Sequence, residues 1–190
     1  MATKLAHVSP GGVITDFPQP VQGHALADCY HADYLAVCVE VPDTAQIGWV
    51  LYNGTYVDPA TIPPTQAQLL AYANAKQWGL ATGGFKTSIG GTALTFPTDA
   101  TSQALITGKA LRLQQPNAPA SVQWQFGADN FETIAAADFI TAAAKIADFV
   151  QATFDALPAI LAAIQAGTIA TYPEVDNPPA PLAGWPANSG

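Results

Sequence analysis

VQWQFGADNFETIAAADFITAAAKIADFVQATFDALPAILAAIQAG, running from Val122 to Gly167, carries two different hydrophobic periods back to back. Val122, Trp124 and Phe126 alternate with Gln123 and Gln125, the period of a half-buried strand. Gly127-Ala128-Asp129-Asn130 supplies turn residues, and Phe131-Glu132-Thr133-Ile134 pairs back. From near Ala136 the period changes. Phe139, Ala143, Ile146, Val150, Phe154, Leu157, Leu161 and Ile164 recur at helical spacing, a face about eight turns long. Pro158 either kinks this helix or opens a second one, and Gly167 is placed to end it. A hairpin running directly into a long amphipathic helix predicts an α+β fold.

The same grammar extends towards the N-terminus. Phe85–Ile89, Gly90-Gly91 and Thr92–Phe96 read as another hairpin, followed by Asp99 as the cap of a helix over 100–113. Leu105, Ile106, Lys109 and Leu113 recur along that helix. Before it, Thr65-Gln66-Ala67-Gln68 is a capping box that starts a helix running to about Leu80, with Gly83-Gly84 as its stop. Leu69, Tyr72, Ala73 and Lys76 share one face of it. Pro59 to Pro64 reads as a linker. Ahead of the linker the signals are those of short strands: Leu5–Val8 and Val13–Thr15 around Pro10-Gly11-Gly12, then a β-rich run from Tyr34 to Val41. Ile47–Tyr52, Asn53-Gly54 and Thr55–Val57 form a hairpin, because Asn-Gly supplies the positive φ angles of a type I′ turn. The expected organisation is an N-terminal antiparallel β unit over 1–58, a Pro-rich linker over 59–64, an α+β domain over 65–171 with hairpins packed on three or four helices, and an extended Pro-rich tail over 172–190.

Composition narrows the function. Hydrophobic residues are 49% of the 190, enough for a real core. Charged residues are only 11%, against ~25% in an average soluble domain. Protein partners are one way to cover so uncharged a surface, since interface cores are depleted of charge. The net charge is −8, and the six Lys and Arg form no basic stripe, which argues against nucleic acid and anionic lipid. No apolar signal region follows Met1. The Ala-rich stretch from Ile134 to Ala166 is interrupted by Asp138, Lys145, Asp148 and Asp155, so no membrane partner is expected. Cys29 and Cys38 are too few for a disulfide scaffold and are read as thiols, with a single bridge left open.

Candidate chemistry is sparse. His24, Cys29, His31 and Cys38 cluster in sequence but match no zinc spacing. All three histidines precede residue 32, no GxSxG elbow exists, and Ser88 belongs to a hairpin. Asp129, Glu132, Asp138 and Asp155 offer no recognisable glycosidase pair. The paired glycines are turn and cap residues rather than a phosphate loop. No catalytic residue, cofactor or metal is assigned. Trp49, Trp78 and Trp124 sit in regular elements and are expected in the core. The candidate partner-contacting residues are Trp185 and Tyr172 on the C-terminal arm, and Trp49 and Tyr56 on the N-terminal β unit.

From about Gln66 to Val175 the chain resembles a domain of unknown function that recurs in bacteriophage tail-fibre and tail-accessory proteins. The resemblance is carried by Ala71–Trp78 with Thr82-Gly83-Gly84, Thr98–Gln103 with Ile106-Thr107-Gly108, Val122–Trp124 with Phe131–Ile134, and Phe149–Phe154 with Ile164–Ile169. Gly79, Ala135 and Pro158 depart from it, which would end the first helix early and break the last. The resemblance implies a non-enzymatic structural component of a phage tail, fibre- or baseplate-associated, contacting other tail proteins and its own copies. It would be made in the host cytoplasm and carried in the virion. The alternatives are a tail-fibre assembly chaperone absent from the finished particle, and a module that binds or degrades a host-surface glycan through Trp124 or Trp185.

Overall fold

A computed structural model describes residues 2–127 and 129–189. Met1, Ala128 and Gly190 lie outside the described residues, and with them one position of the turn expected at 127–130 and the two chain ends. The chain divides into two compact units, Met1–Pro63 and Pro64–Gly190, and is mixed α and β throughout.

In the first unit, β1 (Thr3–Val8) is the middle strand of a three-stranded antiparallel sheet, between β2 (Ile14–Asp16) and β3 (Cys38–Pro42). Ala6, Ile14, Val41 and Ala45 form its small core. Two short helices precede β3, α1 (Leu26–Cys29) and α2 (Ala32–Ala36). Neither is foreseen in the sequence, and α2 replaces the first half of the strand expected over 34–41. His31 caps α2 by accepting from the Asp33 amide, a local bond that outweighs the β preference of Tyr34. β4 (Val50–Tyr52) and β5 (Thr55–Val57) form the Asn-Gly hairpin, with φ of 49° at Asn53 and 80° at Gly54.

The second unit is built around one long helix. α3 (Gln66–Thr82) starts on the Thr65–Gln68 capping box; the Gln68 amide donates to Thr65 Oγ1 and the Thr65 amide to Gln68 Oε1. It runs through Gly79 without stopping. The hairpin of β6 (Phe85–Ile89) and β7 (Thr92–Phe96) leads to α4 (Ala100–Leu113), which is capped by Asp99. A second hairpin, β8 (Ser121–Gly127) and β9 (Asn130–Ala135), leads directly into α5 (Ala136–Gln165).

Ala135 offers no side-chain cap to α5, and the backbone carbonyl of Ala120 accepts from the Ala136 amide instead. Pro158 does not divide the helix. It removes one N–H, which leaves the Phe154 carbonyl without its usual donor, and Pro158 lies exposed where water can replace it. The helix closes at Gly167, φ 74°, where the Thr168 amide donates to Ala163 O and the Gly167 amide to Ile164 O.

Two apolar cores share α5. Its N-terminal half packs Phe139, Ile146 and Phe149 against Phe85, Phe96, Ile106, Val122 and Ile134. Its C-terminal half packs Ile160 and Ile164 against Leu69 and Ala73 of α3, with Ile169 and Val175. Between the two cores a buried polar pair ties α3 to α5: Gln77 Nε2 donates to Thr153 Oγ1 at 3.0 Å, and that hydroxyl donates to Val150 O at 2.8 Å. By length and composition alone α5 could cross a bilayer, with a mean hydropathy of 1.4 over its most apolar window. Here it is the helix against which the other elements of its unit pack.

The tail is not simply extended. Tyr172–Asp176 form α6 on a Thr171–Glu174 capping box. The chain then folds back, so that Leu182 and Trp185 cover the second core.

Candidate functional site

The described residues offer no chemical centre of the usual kinds. No group of three or more His, Cys, Asp or Glu side chains stands close enough to hold a metal among them. Cys29 and Cys38 are free thiols engaged with backbone: the Val21 amide donates to Cys29 Sγ, and Cys38 Sγ donates to Tyr34 O. Burial and the nearby Asp16 raise the Cys38 pKa, so it stays a protonated thiol. Ser88 lies in β6, and Asp155 accepts from Gln151 Nε2 along α5.

The four aromatic residues assigned to partner contact do not converge. Trp49 and Tyr56 pack, half-buried, on the small core of the first unit. Tyr172 sits in the second unit with its ring edge-on to Tyr72, centroids 4.9 Å apart, and is 38% exposed. Trp185 is committed to its own unit: its indole N–H donates to Val175 O at 2.8 Å and its ring lies on the second core. Burial of part of this ring, together with Leu182, contributes to holding the arm back on the core.

Trp78 corrects the core assignment in the other direction, since it is 61% exposed. The buried face of α3 is Leu69, Ala73, Gln77 and Ala81, and at 100° per residue Trp78 points about 140° away from Ala73. Leu105, placed with Ile106 on the packed face of α4, is also exposed.

The feature that does present surface is the flank of α5. The face expected to be buried was 139, 143, 146, 150, 154, 157, 161 and 164. The residues actually buried are Phe139, Ala142, Ile146, Phe149, Thr153, Ile160, Ala163 and Ile164. The buried face is therefore turned by about 65° from the expected one. What the turn uncovers is a row of apolar residues: Ala147, Phe154 and Pro158 exposed, Val150, Leu157 and Leu161 half-covered. From Ala143 to Phe154 the row is one wall of a groove of about 200 Å³, whose other wall is Gln103 and Thr107 of α4. Ile106 and Ile146 lie among its lining residues. Sequence periodicity could mark these residues as apolar; it could not say on which side the partners of α5 would pack.

A second hollow, of about 340 Å³, lies on the other flank of α4 between Leu105, Lys109, Arg112 and Trp124. The Trp124 ring packs on Phe139 with its Nε1 buried and without an acceptor among the described residues.

Electrostatic order in this unit is local. Lys76 Nζ pairs with Asp176, which also accepts from the Tyr72 hydroxyl at 3.0 Å. The Lys76 hydrogen bond lowers the Asp176 pKa, partly opposed by desolvation, and the same carboxylate raises the Tyr72 pKa.

The second unit is an α+β domain whose longest helix shows an apolar flank. The chain belongs to the family described as domain of unknown function DUF4376, whose model matches residues 64–178. The matched span begins where the second unit begins and takes in α3 through α6. No curated protein and no solved structure matches the chain.

Proposed function

We propose that this protein is a non-enzymatic structural component of a bacteriophage tail, fibre- or baseplate-associated, acting through contacts with other tail proteins and with its own copies. The observation that carries the reading is the uncovered apolar row of α5, with Phe154 46% exposed beside a preformed groove. Scattered exposed apolar side chains are ordinary, but a contiguous row on one helix beside a groove is what a partner helix recognises. A surface so poor in charge is consistent with one that spends its life covered. The placement in a tail rests on the resemblance of residues 66–175 to phage tail-associated domains.

Mass spectrometry of gradient-purified particles from a host carrying the gene tests this directly. Peptides of this chain at a stoichiometric level are expected. Their absence from particles, with the chain abundant in the lysate, would refute the structural role in favour of an assembly chaperone.

A further inference from the structure

The hollow between α4 and Trp124 holds residues that the packing of α4 does not explain. Leu105, Lys109 and Arg112 recur at i, i+4 and i+7 and lie within about 60° of one another around the helix. Gly108 lines the same hollow, and a Cβ there would meet no neighbour within 4 Å. A glycine inside a helix is destabilising relative to alanine, and here no close approach requires it. Its missing side chain keeps the hollow open. The ion pairs among the described residues are His31–Asp33 and Lys76–Asp176, and neither includes Lys109 or Arg112. Arg112 has one structural task, as its Nη2 donates to Asn117 O at 3.4 Å beyond the end of α4. In a chain of net charge −8 with six Lys and Arg, two cations one turn apart without an ion pair stand out.

We propose that this hollow binds an acidic saccharide, a uronic-acid unit within a longer polysaccharide, with the sugar ring against Trp124 and Leu105 and its carboxylate on Lys109 and Arg112. Of the two tryptophans that the sequence offers to a sugar, Trp185 is committed to its own unit, whereas Trp124 has the cations beside it. An apolar and aromatic lining with a few placed polar groups is the ordinary composition of a ligand site, and about 340 Å³ is at the small end of the usual range. The indole and Leu105 suit the apolar face of a pyranose ring. The two cations call for an anion, and the guanidinium fork matches a planar carboxylate.

Other anionic ligands fit less well. A nucleic acid brings a dense line of phosphates, which two cations on an acidic chain do not neutralise. A free metabolite is mostly enclosed by its site, but Leu105, Gly108 and Arg112 are exposed, so an occupant stays open to water on its outer side. From Ala104 to Arg112 the hollow runs about 12 Å, the reach of a few sugar rings and well short of a standard protein interface. Glu132 stands opposite Trp124 in the β8–β9 register and does not line the hollow. The inference goes beyond the tail role and does not depend on it.

Trigalacturonate titrated into the isotope-labelled full chain tests this by two-dimensional NMR, with the indole N–H signals assigned by substituting each tryptophan in turn. The Trp124 signal should shift and saturate, and that of Trp78, which is 61% exposed on α3, should not. The fully methyl-esterified trimer, which has lost its charge, should bind about tenfold more weakly or worse, and so should trigalacturonate to Arg112→Gln. Gly108→Leu should fill the hollow and abolish the Trp124 response while keeping or raising the urea midpoint, since leucine is the better helix former. A Trp124 signal indifferent to millimolar trigalacturonate overturns the proposal. So does an equal response from Trp78, equal binding of the ester, or undiminished binding by Gly108→Leu. If a short polyglutamate peptide moves the Trp124 signal and the sugar does not, the hollow takes an acidic protein segment and the saccharide assignment falls. Incorporation into particles is scored separately and bears on the tail role alone.

Discussion

The hydrogen bond between Gln77 and Thr153 lies where the two cores of the second unit meet, and its removal has an asymmetric cost. Gln77 is 5% exposed and Thr153 is fully buried. The Thr153 hydroxyl accepts from Gln77 Nε2 and donates to Val150 O. Thr153→Val keeps the shape but strands the Gln77 amide N–H against hydrocarbon. An unmet buried donor costs about 1–3 kcal/mol, so about 2 kcal/mol is expected. Gln77→Leu removes the donor instead, and the hydroxyl still has Val150 O to bond. About 1 kcal/mol or less is expected there. The double variant replaces a satisfied polar pair by an apolar one and should be no worse than Thr153→Val alone, giving a coupling energy of about 1–2 kcal/mol. Urea unfolding followed by helical circular dichroism reads this, because α3, α4 and α5 all lie in the same unit. At an m-value of about 2 kcal/mol/M, Thr153→Val should move the midpoint by about 1 M, and Gln77→Leu by half that or less. Equal shifts for the two single variants, or strict additivity in the double, would show that the pair is not a buried hydrogen bond and would remove the proposed tie between α3 and α5.

Three further outcomes follow from the same unit. Ile160→Ala empties a fully buried position between α3 and α5 and should cost about 2–5 kcal/mol by urea unfolding; a loss under 1 kcal/mol would mean the second core is loose. Trp185→Phe keeps most of the ring but leaves Val175 O without its indole donor, and should cost about 1–2 kcal/mol and raise hydrogen exchange in α6 selectively. The carboxylate pKa values of Asp99, Glu174 and Asp176 are all lowered: at Asp99 by the Ser102 hydroxyl, at Glu174 by the Ala170 amide and at Asp176 by Lys76. A folded pKa below the unfolded one gives stability that is complete above the ordinary carboxylate range and is lost as pH falls through the lowered values. Thermal midpoints should therefore be flat from about pH 7 to 5 and drop below about pH 4, less steeply in Asp176→Asn.

Much of the second unit was legible because its signals are local. The Thr65–Gln68 capping box, Asp99 as a cap, the Gly90-Gly91 turn and the Schellman close at Gly167 each need only a few neighbouring residues. The structure meets each of them where the sequence puts it. α2 was missed for the complementary reason. Its start depends on a histidine accepting a backbone hydrogen bond, a role with weak statistical weight, while Tyr34, Val37 and Val39 advertise a strand. The sequence predicts an extended Trp185 arm because four prolines after 177 forbid a helix there. They do not forbid packing, and an indole with a carbonyl in reach outweighs the stiffness of the chain.

The exposed apolar flank of α5 is hidden from the sequence for a deeper reason. The apolar face of α5 is wider than any one partner can cover. Periodicity finds its centre, and the sequence offers nothing that ranks one edge over the other. The deciding residues are elsewhere, in Leu69 and Ala73 of α3, Ile106 of α4 and Phe85 and Phe96 of the first hairpin, which together draw the buried face towards Phe149, Thr153 and Ile160. Once they do, Ala147, Phe154 and Pro158 must lie outside, since a helix has only one circumference to share. The apolar surplus on α5 is therefore a property of the helix and its packing together. A sequence that needed only to fold would place Glu, Lys or Gln at those positions, at no cost to either core. That it keeps Phe154 and the alanines in an uncharged row is the strongest physical reason to expect the row to be covered when the protein is in use.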